Sequence, residues 1–166
     1  YWRDNRLNMI HEGTHGIQAL DLLGRKVLMD GGAGLKLLAT RMKATVERAG
    51  HAEGLAEHAN ELAAALQKVG AATQAAWATG VPEEALANAT PYLQAFGHVV
   101  LAWVWLELGL VAQANTPRTD DERNRNAGLL AALRYFHAYE LPKIGAWLNV
   151  VSRREAVCRE MNDAWF

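Results

Sequence analysis

Apolar residues recur at steps of three and four along almost the whole chain, the spacing that gathers them on one side of an α-helix. Residues 1 to about 9 read as a short helix ending before Gly13. Thr14 suits the N-cap of the next, where Ile17, Leu20, Leu23 and Val27 form a stripe. Gly31-Gly32 stops that run and is the best boundary in the sequence. Leu35, Leu38, Met42 and Val46 then mark a long helix closing near Gly50. Residues 53 to about 79 carry Leu55, Leu62, Leu66 and Val69 among alanines that allow close helix approach. Gly80-Val81-Pro82 breaks this helix, and Pro82 suits the first turn of its successor.

The most apolar stretch runs from Thr90 to Asn115, with Val99-Val100-Leu101-Ala102-Trp103-Val104-Trp105-Leu106 at its centre and Pro91 in its first turn. A membrane span needs about 20 unbroken apolar residues, and Gln94, His98, Glu107 and Gln113 interrupt this one. The expectation is a buried bundle helix. Thr116 to Asp121 is a turn and an acidic helix start, with Thr119 or Asp120 as cap. Leu129, Leu130, Leu133 and Phe136 form a stripe running to about Tyr139. Pro142 restarts a helix carrying Ile144, Trp147, Leu148 and Val151, and residues 153–166 read as a shorter amphipathic tail.

No run alternates with period two, so the predicted class is all-α: an antiparallel helical bundle of four long helices, about residues 33 to 140, plus shorter terminal helices. The length, 166 residues, suits one ordinary domain, and 51% hydrophobic residues suffice for a core. A net charge of -1 with no long basic run argues against nucleic acid or an anionic membrane surface as partner. Cys158 is the single cysteine, which excludes an internal disulfide and favours a reducing compartment. The polar opening Tyr1 to Arg6 is no signal peptide. Without an initiating methionine, and starting inside a helical pattern, it reads as part of a longer chain.

The chemistry concentrates in Ile10-His11-Glu12-Gly13-Thr14-His15-Gly16-Ile17-Gln18. One reading makes His11, Glu12 and His15 a zinc site of the H-E-x-x-H kind, with the histidines four apart on a helix and Glu12 polarising water. Gly13 and Thr14 weaken a helix where that site needs one, and the elongated pattern lacks its third ligand, since Gln18 and Asp21 stand where Gly and His belong. The favoured reading places Glu12 as a general base on a bend at a helix start, with no metal.

These residues carry a resemblance. Arg3, Asp4, Arg6, Leu7 and Ile10, then Glu12-Gly13-Thr14, then Gly16-Ile17-Gln18, resemble the end of the catalytic region of the acyl-CoA dehydrogenases. The run Ala19-Leu20-Asp21-Leu22-Leu23-Gly24-Arg25-Lys26 is similar to the larger members, those of the 3-methylmercaptopropionyl-CoA dehydrogenase subtype, which carry an extra helical domain. The close match covers about the first 30 residues. It implies that residues 1–30 end the catalytic helical domain and residues 31–166 form a helical-bundle extension.

The resemblance further implies FAD as cofactor and an acyl-CoA substrate. Glu12 takes the α-proton while flavin N5 receives the β-hydride, and the Glu12 backbone N–H donates to the thioester carbonyl. Gly13 lets the acyl chain approach, and Thr14, His15 and Gly16 lie against the flavin's ribityl and diphosphate region. Electron-transfer flavoprotein or another acceptor, a homo-oligomer and a cytoplasmic setting follow from the family. His11 stands where the family often has tyrosine, and His15 where it often has asparagine.

The other conspicuous side chains receive plainer readings. His51 and His58, seven apart with no cysteine or carboxylate pattern around them, are expected to be solvated. Trp103, Trp105 and Trp147 are expected to anchor the core or a subunit contact. Arg153-Arg154 is too small a cluster for phosphate recognition, and Cys158 lacks a neighbouring base that would make it a nucleophile.

Overall fold

The fold is taken from a computed structural model, which describes residues 2–10 and 13–166, with backbone only at Trp2 and Met9. In order, the helices are α1 (Trp2–Asn5), α2 (His15–Asp21), α3 (Met29–Gly50), α4 (Ala56–Ala76), α5 (Pro82–Leu86), α6 (Ala89–Ala114), α7 (Asp120–Tyr135), α8 (Ile144–Ser152) and α9 (Val157–Glu160). Among the described residues there is no strand, and the four long helices are α3, α4, α6 and α7. The chain is an all-α bundle.

Helix α6 is its axis. Ala89, Tyr92, Ala95, Val99, Ala102, Leu106, Gly109 and Ala112 repeat at three and four and are all buried, which places them against α2, α3, α4, α7 and α8. Length and apolar composition alone would let α6 cross a membrane, yet its inner stripe is part of the bundle core. Helix α4 presents Ala59, Leu62, Ala65, Val69, Ala72 and Ala76, and these alanines bring its backbone close to its neighbours. Buried polar groups are matched: the Thr73 hydroxyl donates to the Val69 carbonyl at 2.8 Å, so the Tyr92 hydroxyl, 2.7 Å away, donates to Thr73.

Local chemistry sets the ends. Asp30, Gly31 and Gly32 hold left-handed backbone (φ 52°, 64° and 80°), so the expected glycine boundary is a tight turn at the head of α3. Thr119 caps α7 by accepting from the Glu122 N–H at 3.2 Å. The Glu122 carboxylate accepts in return from the Arg118 N–H at 2.6 Å.

Three segments differ in detail from expectation. Ile17 and Leu20 face outward, and the inner side of the second segment is Ala19, Leu23 and Val27. A π-helical turn at Leu22–Lys26, closed by Val27 N–H to the Leu22 carbonyl at 3.0 Å, widens the helix and favours steps of four over steps of three. The indole N–H of Trp77 bonds the Leu23 carbonyl at 3.2 Å, so this segment joins the bundle core. The first helix is one α-turn followed by a 3-10 turn at Arg6–Met9. Residues 153–166 are not an amphipathic helix: α9 and a 3-10 turn at Asp163–Trp165 lie on the surface with no buried residue in either.

Helices α3 and α6 are tied by a polar bridge. The Thr45 hydroxyl donates to Glu107 at 2.5 Å, the Arg48 guanidinium pairs with the same oxygen, and the Trp103 indole N–H donates to Thr45 at 2.7 Å. Burial alone would raise the Glu107 carboxyl, but the Thr45 and Arg48 donors outweigh it and hold the group below its ordinary pKa. A depressed carboxylate stabilises the fold above its unfolded pKa, and that contribution is lost as pH falls through the folded one. Glu107→Gln is expected to cost about 1 kcal/mol at pH 7, kept small by solvent screening, with the gap closing as pH falls from neutrality to below the ordinary glutamate range. Urea unfolding of both proteins across this range checks it.

Candidate functional site

Two places gather chemistry. The first is the bend before α2. Gly13 has φ +76°, and the helix starts only at His15, so the interval leading to His15 is not continuous helix. His11 and Glu12, the core of both the base and the zinc readings, lie outside the described residues. Thr14 occupies the N-cap position but its hydroxyl does not cap the helix. Gly13, His15 and Gly16 are exposed and Thr14 is half-buried; a Cβ at Gly13 or Gly16 would meet open space. Gly13 is therefore needed for its backbone angle, which a side chain resists.

This bend fits one edge of a phosphate-bearing or ribityl-bearing cofactor and does not enclose it. The first backbone N–H groups of α2 are not taken by a Thr14 cap, and no side chain stands at Gly13 or Gly16. Around it stand bare apolar residues: Leu7, Ile10 at 74% exposure, Ile17 at 68% and Leu20.

The second place was not foreseen. His58 on α4 is not solvated: its Nδ1 lies 3.1 Å from Glu61 Oε2, one turn along the same helix. His137 stands where α7 loosens into a π-helical turn (Phe136–Glu140), and its Nδ1 is 2.8 Å from the same oxygen. The two rings lie 4.8 Å apart at 60°. The His137 side chain is wholly buried, and burial pushes its imidazole below the ordinary pKa, with Glu61 partly opposing. The spacing His58-x-x-Glu61 was a usable signal for two of these three residues, but nothing in the sequence points from residue 61 to residue 137. His51 is exposed, as expected of it.

The remaining candidates keep structural roles. Trp103, Trp105 and Trp147 are half-buried, Trp103 in the Thr45 bridge and Trp147 edge-on to His98 at 4.7 Å. Arg154 donates to the Ala75 carbonyl at 2.7 Å, holding the tail to α4, and Cys158 is exposed.

Comparison with known proteins gives the following. The family described as "Acetyl-CoA dehydrogenase C-terminal like" matches residues 38–162. The 3-methylmercaptopropionyl-CoA dehydrogenase of Ruegeria pomeroyi is 38% identical over 124 residues, covering 69% of this chain and 19% of that protein. The broad-specificity linear acyl-CoA dehydrogenase FadE5 of Mycobacterium tuberculosis is 26% identical over 178 aligned positions, covering 100% of this chain and 29% of that protein. The chain thus spans less than a third of the length of the curated relatives it matches.

Proposed function

The chain belongs to the acyl-CoA dehydrogenase family through the C-terminal helical region of its members, and from this we propose that it is part of an FAD-dependent enzyme that desaturates an acyl-CoA thioester between its α and β carbons. Residues 1–30 end the catalytic helical domain. Residues 31–166 are an extension whose bundle serves core packing or oligomerisation.

The observation that supports this reading best is the bend at Gly13, placed directly before a helix that is built into the family's bundle. Glu12 in this reading is the base for the α-proton. That proton is too weakly acidic for a solvated carboxylate at its ordinary pKa, so the base must be shielded and the carbonyl charge stabilised. The Glu12 backbone N–H serves the carbonyl. Because Gly13, Ile10 and Ile17 are exposed, the shield comes from other parts of the full-length protein. Thr14, His15 and Gly16 hold the ribityl and diphosphate portion of the cofactor with backbone N–H groups and the Thr14 hydroxyl. Bound FAD supplies the acceptor for the β-hydride.

Electron-transfer flavoprotein or a similar acceptor, a homo-oligomeric state and a cytoplasmic location complete the proposal. The test is spectroscopic. Full-length protein is expected to purify with about one flavin per chain, as the family's chemistry requires, and to lose its flavin absorbance when mixed anaerobically with an acyl-CoA. The 166-residue chain by itself is expected to retain no flavin, because its site is one-sided. Full-length protein that carries no flavin, or whose flavin stays oxidised with acyl-CoAs of every chain length tried, would remove the reading.

A further inference from the structure

We propose that His58, Glu61 and His137 form a binding site for a divalent cation of the zinc class, clamping α4 to the turn that follows α7. The three ligand atoms lie within 4.8 Å of one another, with Glu61 Oε2 at 3.1 Å and 2.8 Å from the two Nδ1 atoms. Ligands at zinc distances of about 2.0–2.2 Å on a tetrahedron stand about 3.3 Å apart, so each histidine's spacing to Glu61 must open by up to about half an ångström, and the two histidine nitrogens, within 4.8 Å of one another, must draw together by as much as about 1.5 Å. Two imidazoles and one carboxylate are a donor set that zinc accepts and that magnesium and calcium, which prefer oxygen, do not.

Counting hydrogens shows what a cation would change in one tautomer of His137. A neutral imidazole has one N–H, yet His137 faces two acceptors: the Glu61 carboxylate at Nδ1 and the Ala102 carbonyl, 3.5 Å from Nε2. When Nε2–H is directed at Ala102, Nδ1 turns a lone pair on a carboxylate oxygen. A cation between them makes that contact attractive. The resulting arrangement, a metal-bound histidine whose far N–H faces a backbone carbonyl, is the usual outer support of such ligands. The site also has an entry path. Both imidazoles are shielded, whereas Glu61 is 39% exposed and opens on a cleft lined by Lys68, Leu141 and Pro142, leaving a fourth position for water.

This inference does not depend on the dehydrogenase reading. Full-length protein stripped with a chelator and titrated with Zn2+ alone in a calorimeter is expected to bind one equivalent per chain at this site. His58→Gln and Glu61→Gln should each weaken that binding by about tenfold or more, the loss that outer partners alone already cause. Both positions are only partly buried, so these variants are expected to fold, which circular dichroism checks; His137→Ala would hollow the core. Cobalt substitution gives a second readout, since the visible bands of low-coordinate Co2+ should appear in the parent and vanish in Glu61→Gln. His15→Ala should leave zinc binding at this site unchanged. Folded parent protein that takes up no stoichiometric zinc overturns the proposal. So does zinc held at parent affinity by both Gln variants, or zinc lost with His15 but kept without Glu61.

Discussion

Glu12→Gln in the full-length protein is expected to slow flavin reduction by acyl-CoA by about 10²–10⁴-fold, the contribution typical of a positioned general base. Gln keeps the shape and polarity of the side chain and removes the ability to accept a proton. Acyl-CoA binding should change little, because thioester and cofactor contacts assigned to Gly13, Thr14, His15 and Gly16 are untouched. Flavin content should equal that of the parent. Single-turnover kinetics under anaerobic conditions separate these effects, with binding read from the concentration dependence and chemistry from the limiting rate. A variant that reduces its flavin at the parent rate removes Glu12 from the mechanism. Loss of flavin together with activity would instead assign the residue to cofactor retention.

The second large effect concerns the seam between α6 and α7. Gly109 on α6 gives Leu133 its space: a Cβ built there would lie 2.8 Å from Leu133 Cδ2 and 3.6 Å from Leu55 Cδ2. Leu133 is fully buried. Leu133→Ala is expected to cost about 2–5 kcal/mol, the range for deleting a buried leucine and leaving a cavity. Gly109→Ala in the parent gains about 1 kcal/mol of helix propensity but overpacks at a cost of about 1–3 kcal/mol, for a net loss of about 1 kcal/mol. On the Leu133→Ala background the clash is gone, so the same substitution should stabilise by about 1 kcal/mol. Denaturant unfolding of the four proteins gives the coupling directly. An effect of Gly109→Ala that keeps its sign in both backgrounds would mean that the two residues do not share this space.

Both predictions draw on features of different origin, and the difference is physical. The catalytic assignment comes from a contiguous run of residues, Glu12-Gly13-Thr14, whose meaning lies in local backbone and side-chain chemistry. The Gly109 seam comes from packing between helices: glycine at position 109 is neither a turn signal nor a break in the pattern, and only the arrival of Leu133 explains it.

The sequence by itself determined the class, the long helices and nearly every break, because these depend on neighbours in the chain. Three-and-four spacing sets an apolar stripe; Gly31-Gly32, Pro82 and Thr119 act on their own backbone. It also pointed to the family through a resemblance at residues 3–26, whereas the family's match falls on residues 38–162. Tertiary structure decided which stripe faces inward where a π-turn resets the phase, so that Ala19 is buried and Ile17 is not. It alone joined His137 to Glu61 across 76 positions and Trp103 to Thr45 across 58. Pairings of that kind depend on how helices pack and turn against one another, which is a property of the whole folded chain that no local window of residues encodes.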